Sequence, residues 1–576
     1  MNAPNDIMPS TSKYSLKGWR WLAVWLFLIA ALSVITWIVL GLTSTNSYEV
    51  PTASRWLLSI GIAAAVAISL GLLVHCFSSW RNLKRLLLGL ACLAGLVAAF
   101  YAEENIRGRL AWRLFKAHWE AKGEKFEFAA LIPPPVPDGQ NFAMAPVVVT
   151  TYSHLLDRTG HTISPPNTNV VDRLKMPLDL DNGGPANALG NWQKVIATDL
   201  EPWQNYYRDL SLTTNLYPVA PQPQSPAADV LLALSKYGST IEELRGAAAL
   251  PVSRFPLNYD NGQPYAILLP HLAPLKGCAA VLRLRALAEL EAGQSQQALA
   301  DISLALNLTE KIRSEPFLIS HLVRIAMFQI TLQPVWEGLA VQRWTDAQVS
   351  QLVQQLSTLD FVADYAAAMR GENVCQVASM DDFRHRPGLL DRVGEFGQKN
   401  SVGDIWGYLI PSGWFYQNER RSSKFILEQF LPIGDVDGQT FSPDLAREAN
   451  QSLISMRRTP YTIICKMLLP GLANGSRRFA FAQASLNLTR GACALERYRL
   501  TNGKYPETLE ALVPQFTSKV PRDPIAGQPL RYRSTEDGRF ILYSVGWNEK
   551  DDGGHVSFNR SGSVDLEKGD WVWRYP

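Results

Sequence analysis

The chain has 576 residues, and its 55 lysine and arginine residues nearly balance its 52 aspartate and glutamate residues, which leaves a formal net charge of +3. A charge this close to balance, without a prominent basic cluster, lacks the electrostatic footprint of nucleic-acid binding, so we expect no nucleic-acid partner. The mean hydropathy is close to zero, which is too low for a chain built throughout of membrane spans and fits a few spans joined to a large water-soluble part.

Three apolar runs follow one another near the start of the chain, at residues 19–42, 56–77 and 86–101. The first run has 24 residues, and a helix of that length rises about 36 Å, enough to cross a bilayer core of about 30 Å. The third run has only 16 residues, below the usual minimum of roughly 17, so it spans only if its flanks are included. The pattern predicts an uncleaved block of three transmembrane helices over residues 1–102, with a buried core helix as the alternative for each run.

Basic residues flank the runs unevenly, since three lie before or at the start of the first run and three separate the second from the third: Lys13, Lys17, Arg20, Arg81, Lys84 and Arg85. The positive-inside rule therefore predicts a multi-pass protein of the cytoplasmic (inner) membrane, with its N-terminus in the cytoplasm and its large C-terminal part outside. Four basic residues directly after the third run favour the opposite side: Arg107, Arg109, Arg113 and Lys116. If the third run does not span, the large part is cytoplasmic.

Residues 103–225 combine an amphipathic helix, a proline-rich spacer and an irregular region. The helix, at 103–123, places four apolar residues on one side: Ile106, Leu110, Leu114 and Trp119. It lies either along the membrane surface or against its own domain. The prolines of residues 132–137 predict a stiff spacer. The region that follows, up to about residue 225, is either loops with short strands such as 146–151 or an extended segment that wraps the helical part.

Residues 226–470 are predicted to form a mainly α-helical domain. Residues 282–305 have the pattern of a helical hairpin with Gly293 at the turn, which resembles one tetratricopeptide unit. Further helices are expected at 317–338 and, after a cap at Thr345, at 349–359. The domain is either an irregular helical assembly or a repeat array, because no three repeats fall in register.

Residues 477–576 are predicted to form a small α+β domain, a long helix with an antiparallel sheet. The helix covers 479–500 and ends at Asn502-Gly503, and a shorter helix is expected at 506–512. Two strand-like segments, 530–534 and 540–545, flank the hairpin signal Asp537-Gly538, and residues 571–575 alternate as a strand does.

This end of the chain resembles the globular domain of the major pseudopilins of type II secretion. The resemblance covers about residues 479–554 and lies in these motifs: Glu-Arg-Tyr-Arg-Leu-Thr-Asn-Gly-Lys-Tyr-Pro at 496–506, Leu509 and Leu512, Val-Pro-Arg-Asp-Pro at 520–524, Gly527, Leu530, Tyr532, Tyr-Ser-Val-Gly at 543–546 and Asp-Asp-Gly-Gly at 551–554. No prepilin cleavage site followed by an apolar helix precedes them, so we expect no pilin-like processing. The whole chain also resembles uncharacterised membrane-anchored proteins of planctomycete and verrucomicrobial bacteria, a resemblance that implies no activity.

The loop at 548–554 raises the question of a metal. Asn548, Asp551 and Asp552 offer oxygen atoms of the kind that Ca²⁺ prefers, and the pseudopilin resemblance implies the carbonyl groups of Leu542 and Ser544 as partners. A solvated acidic turn is the alternative. Any Ca²⁺ bound there would be structural, and no other cofactor is expected.

Catalytic motifs are missing from the sequence. Its eight histidines are dispersed, and it has no nucleophile elbow, phosphate-binding glycine loop or dinucleotide fingerprint. Cys278, Cys375, Cys465 and Cys493 lack metal-site spacing and are either paired or free. The sequence thus favours a non-enzymatic scaffold or interaction protein of the cell envelope, and we expect the lipid bilayer and envelope or secretion proteins as its partners. The alternative is a membrane-tethered hydrolase of envelope polymers, with its site in a cleft between the irregular region and the helices.

Overall fold

The structure, a computed structural model, describes residues 60–69, 80–176, 178, 184–214, 216–259, 263–386 and 409–576. The chain divides into two compact units, residues 1–103 and 104–576, and we call the second unit the body. The predicted span at 19–42 lies outside the described residues, as does most of the run at 56–77 apart from its centre.

Two helices cover the described part of the apolar block. Helix α1 is Ile60–Ser69, and α2 is Trp80–Glu120, 41 residues without a break. The predicted span at 86–101 and most of the predicted amphipathic helix are therefore one helix. Within the described residues, two stretches are long and apolar enough to cross a membrane, Leu83–Glu120 and Leu318–Ala340, so a three-helix block is not evident.

The body is mainly helical, with a small antiparallel sheet region near its C-terminal end. Its helices after α2 are α3 (Pro146–Val149), α4 (Glu201–Thr213), α5 (Pro226–Leu234), α6 (Gly238–Ala248), α7 (Leu272–Glu291), α8 (Ser295–Glu310), α9 (Leu318–Ala340), α10 (Asp346–Leu356), α11 (Phe361–His385), α12 (Ser412–Phe425), α13 (Pro443–Ser455), α14 (Ile463–Leu468), α15 (Pro470–Ala473) and α16 (Gly475–Asn502). A π-helical turn, Ile426–Phe430, continues α12.

The strands of the described residues form three small antiparallel sheets: β1 (Gly434–Asp435) with β2 (Thr440–Phe441); β3 (Arg531–Ser534), β4 (Phe540–Ser544) and β7 (Trp571–Arg574) in the order β3-β4-β7; and β5 (Val556–Phe558) with β6 (Val564–Gly569). In the central sheet, Leu542 of β4 pairs with Tyr532 on one side and with Trp573 on the other. The predicted hairpin around Asp537-Gly538 is confirmed, with Gly538 at a positive φ of 76°.

One hydrophobic core connects the helices with the sheet. Trp336 of α9, Phe361 of α11, Leu488 of α16 and Trp573 of β7 belong to the same buried cluster. Trp336 also donates a hydrogen bond from Nε1 to the carbonyl oxygen of Arg574, at 2.9 Å. The residues predicted as two domains, 226–470 and 477–576, therefore share a core. A second cluster lies among α3 to α8.

Local signals led to correct helix predictions in several places. The hairpin at 282–305 is confirmed as α7 and α8, with Gly293 at a φ of 77° between them. The cap at Thr345 is confirmed as a full capping box with Gln348. Helix α16 ends at Asn502, and Gly503 adopts the left-handed conformation there.

Other predictions were wrong. The expected strand at 146–151 contains helix α3, because Pro146 occupies the first turn, where its fixed φ favours a helix. The expected helix at 506–512 is only a 3-10 turn, Leu509–Leu512. The sequence left open whether the four scattered cysteines are paired or free, and the structure shows them as buried free thiols.

Helix α2 meets α12 through two glycines. A Cβ atom on Gly108 would clash with the carbonyl oxygen of Gly413, and one on Gly413 would clash with that of Glu104. The amide of Gly413 donates to Asn105 Oδ1 at 2.8 Å. The 104–120 part of α2 is thus packed backbone to backbone against the rest of the body.

Candidate binding groove

A groove of about 660 Å³ opens between α10, the β1–β2 turn, α16 and the segment 514–522. Helix α16 contributes Gln483, Asn487, Arg490 and Ala494, which are spaced by four, three and four residues. Residues at this spacing share one helix face, so α16 forms the floor of the groove with a mostly polar stripe.

A chain of hydrogen bonds fixes this floor. Gln483 accepts from the amide of Phe361 at 2.9 Å and donates to Asn487 Oδ1 at 3.0 Å. Asn487 in turn donates to the carbonyl oxygen of Arg522 at 2.8 Å. The rim segment is therefore anchored to the helix by side chains that also face the groove.

Three basic side chains line the groove. Arg490 donates to the carbonyl oxygens of Leu356, the last residue of α10, and of Leu359, at 2.5 and 3.2 Å. Burial lowers the pKa of Arg490, although Asp360 acts in the opposite direction. Lys519 and Arg522 are exposed, and neither forms an ion pair with a described residue.

The charged residues that line the groove are all basic. Amides and hydroxyls accompany the three cations, and no carboxylate, histidine or cysteine is among the lining residues. General acid–base or nucleophilic catalysis normally uses such groups. The lining can therefore attract and hydrogen-bond an anionic polar chain. A carboxylate lies next to the lining, since Asp360 accepts a hydrogen bond from the lining residue Gln439 at 3.1 Å.

A second polar cluster contains the residue types of a hydrolase. Ser320 donates to Glu315, and His271 Nε2 lies 2.7 Å from Glu315 Oε1. The carboxylate thus lies between the serine and the histidine, whereas an activated serine needs the histidine as its direct neighbour. All three side chains are buried, at most 3% exposed. This arrangement does not support the hydrolase alternative.

A charge network extends from this cluster. The fully buried Arg324 contacts Glu310 at 2.5 Å and also pairs with Asp364. A cavity of about 380 Å³ lies nearby and is lined in part by Arg313 and His321. Burial, and then the charge of Arg324, lowers the pKa of His321 to about 3, so its ring is neutral.

The three predicted metal ligands lie in one loop, but much of their hydrogen-bonding capacity is used within the protein. Asn548 donates to Asp552 Oδ2 at 2.8 Å. Asp551 Oδ1 accepts from the Tyr543 hydroxyl and the Gly553 amide, each at 3.0 Å. Among the described residues, no group of three or more acidic, histidine or cysteine side chains is arranged to hold a metal ion.

The loop depends on a residue that the sequence analysis missed. Asp570 is buried and accepts from the amides of Asp552 and Gly554, at 3.2 and 2.6 Å. Burial raises the pKa of Asp570 despite these hydrogen bonds. Leu542 and Ser544, whose carbonyl groups were expected to assist a metal, lie in β4 opposite Trp573 and Trp571 of β7.

The groove was also missed, although the sequence carries one signal for it. Residues 449–495 contain six lysine or arginine residues and no aspartate or glutamate. Arg490 belongs to this stretch.

Compared with protein-family models, with curated proteins and with solved structures, the chain matches none of them.

Proposed function

We propose that this chain is a membrane-anchored protein of the cell envelope that acts by binding, and that its groove receives an acidic segment of a partner protein. The groove lining carries the proposal, because it combines three cations with hydrogen-bonding amides and hydroxyls and has no acid. The resemblance of residues 479–554 to pseudopilins makes components of a secretion apparatus the first partners to examine.

The exposed surface of α2 supports the membrane anchor. Leu88, Leu93 and Leu96 are 66%, 58% and 69% exposed, and other large apolar side chains of the same stretch are similarly uncovered. Exposed apolar surface costs free energy in water, at about 25 cal/mol per Å², and none in a hydrocarbon environment. The other membrane-length stretch, Leu318–Ala340, is mostly buried in the body and acts as a core helix.

The proposed topology follows the distribution of basic residues. Three spans would place the N-terminus in the cytoplasm and the body outside, which suits a partner in the envelope. Reporter enzymes fused after Pro576 test this topology. A fusion to alkaline phosphatase, which is active only outside the cytoplasm, should be active. Activity only in a fusion to a reporter that works in the cytoplasm would show that the body lies on the cytoplasmic side.

The groove is tested by direct binding. The full chain in detergent micelles is titrated against a fluorescein-labelled ten-residue glutamate-rich peptide, followed by fluorescence anisotropy. The variant Lys519→Glu/Arg522→Glu should bind at least ten-fold more weakly, because two attractive charges become repulsive. Binding to the native chain should weaken as salt rises, since exposed charges are screened within about 8 Å at physiological ionic strength.

The matched control is Arg560→Glu/Lys568→Glu, which makes the same change of charge at exposed residues of the β5–β6 hairpin. Neither residue lines the groove. This control should bind the peptide as the native chain does. Equal losses in both double variants would mean that only net charge matters, and the groove would lose its assigned role.

A further inference from the structure

A stretch of the body near α2 is both apolar and basic. Between Ile454 and Pro470 the sequence has Arg457, Arg458 and Lys466 and no acidic residue. Such a composition is typical of surfaces that contact anionic lipid headgroups.

The structure brings the exposed members of this stretch together. Ile463 and Met467 are one helical turn apart on α14 and are 43% and 36% exposed. Lys466 donates to the carbonyl oxygen of Ile454, at 3.2 Å, and the Ile454 side chain is 71% exposed. With the exposed Arg457 and Arg458, these three apolar side chains form a surface that we call the 454–467 patch.

The patch is attached to α2 at a defined position. The hydroxyl of Tyr461 donates to Glu104 Oε1 at 2.8 Å. Arg107 donates to the same hydroxyl at 3.0 Å and lies over the tyrosine ring, 5.3 Å from its centre. The Glu104 side chain is almost fully buried by these contacts.

Glu104 lies just beyond the apolar run of α2. It follows Tyr101, the last residue of the run 86–101, by three residues of the same continuous helix. With its charged flanks Arg85 and Glu103 the run has 19 residues, which corresponds to about 28 Å against a hydrocarbon core of about 30 Å. If this run crosses the bilayer with its flanks, Tyr461 is bound at the end of the span.

We infer that the 454–467 patch lies on the lipid surface, with Ile454, Ile463 and Met467 among the headgroups and Arg457 and Arg458 paired with anionic phosphates. The inference rests on the proposed membrane anchor. The patch gives the body a second contact with the bilayer, which fixes the face that the body turns to the membrane.

The test measures how close the patch is to lipid. The full chain with Cys76→Ser/Cys92→Ser receives one new cysteine, Ile463→Cys, which is labelled with the fluorophore NBD. The protein is reconstituted in vesicles of three parts phosphatidylcholine and one part phosphatidylglycerol, with and without a headgroup-region spin-labelled lipid. At least two-fold quenching by the spin label is expected at position 463.

Leu212→Cys provides the matched site, because Leu212 is an apolar residue of α4 that is 84% exposed and lies outside the patch. Its label should lose less than a tenth of its fluorescence. Arg457→Glu/Arg458→Glu should reduce the quenching at 463 by half or more, whereas Arg560→Glu/Lys568→Glu should leave it unchanged.

Flotation of the vesicles separates the two hypotheses. A chain that floats but shows equal quenching at 463 and 212 overturns the lipid contact alone, and the patch would then be a free or protein-covered surface. A chain that does not float overturns the membrane anchor, and this inference with it.

Discussion

The buried charges of α7 to α9 and the open charges of the groove show opposite uses of the same residue types. Arg324 is fully buried and contacts two carboxylates, whereas Lys519 and Arg522 are exposed and form no ion pair with a described residue. A buried charge must be paired, since its desolvation costs several kcal/mol. An exposed, unpaired cation costs little and remains available to a partner.

This difference distinguishes residues that stabilise the fold from the exposed residues that we propose to bind a partner. It also predicts that mutations in the two regions have separate effects. Mutations of the buried charges should change the free energy of unfolding and leave peptide binding intact. Mutations of the groove charges should weaken peptide binding and leave the free energy of unfolding nearly unchanged.

The largest effect is expected from Arg324→Met. The change leaves Asp364 and Glu310 without their central cation, which should lower the free energy of unfolding by about 3–5 kcal/mol. Thermal unfolding in detergent, followed by circular dichroism, measures the loss. Arg313→Met is the control, since Arg313 contacts the same two carboxylates but is 41% exposed, and it should cost less than about 1 kcal/mol. Equal losses would contradict the distinction, and Arg324→Lys provides a milder variant if the methionine form does not fold.

A smaller effect should appear in the pH dependence of stability. Burial, and then the charge of Asp301, raises the pKa of Glu289 from 4.5 to about 7. Arg285 and Arg245 oppose this shift. The folded protein therefore keeps a proton that the unfolded chain releases, so this contribution to stability is complete below pH 4.5 and is lost as pH rises through 7.

Glu289→Gln removes that titration. Between pH 5 and 8 the native chain should lose up to about 3 kcal/mol relative to the variant, because each pKa unit corresponds to about 1.4 kcal/mol. The measurement is the unfolding free energy at several pH values. Glu242→Gln, at an exposed carboxylate that contacts the same Arg245, should give a profile parallel to that of the native chain. Parallel profiles for Glu289→Gln as well would contradict the raised pKa.

The groove variant should have almost no effect on stability. Lys519→Glu/Arg522→Glu changes two exposed side chains, and such changes usually alter the unfolding free energy by less than about 0.5 kcal/mol. The unfolding midpoint of this variant is compared with that of the native chain under the conditions of the peptide titration. A loss comparable to that of Arg324→Met would show that the groove charges maintain the fold.

The smallest effect is expected from calcium. Asp551 and Asp552 already accept hydrogen bonds from protein donors, so millimolar Ca²⁺ should shift the unfolding temperature of the native chain by less than about 1 °C. A site filled at 100 times its Kd would add about 2.7 kcal/mol, a shift that calorimetry detects easily. A shift that Asp551→Asn/Asp552→Asn abolishes would establish Asn548, Asp551 and Asp552 as a calcium site.

Sequence reasoning succeeded where neighbouring residues decide the structure. The Gly293 turn, the Thr345 cap and the Asp537-Gly538 hairpin each depend on a few consecutive residues. The same reasoning missed α11 and α12, because both helices are buried on several sides and include buried polar residues such as Asn373 and Asn418. Their apolar residues therefore show no single stripe of the kind that predicts a surface helix.

The excess of basic residues at 449–495 indicates a cationic surface, but it could not locate the groove, because the walls of the groove come from distant parts of the chain. Val353, Gln439, Asn487 and Lys519 meet only after folding. Asp570 could not be predicted for the same reason. It lies 18 residues beyond Asp552, and its carboxylate accepts a hydrogen bond from the Asp552 amide only in the folded chain. The sequence shows which residue types the chain contains, but it does not show which distant residues come together in the folded structure.

The core that α9 and α16 share with β4 and β7 has a consequence for how the body comes apart. Trp571 and Trp573 are buried together with side chains of the helices, so removing the sheet would open the helical part to water. Helices and sheet should consequently melt in one cooperative transition, and a protease should find no stable fragment by cutting between residues 470 and 477. The body is in this sense a single folding unit, and neither the helical part nor the C-terminal part with the sheet should fold when it is expressed alone.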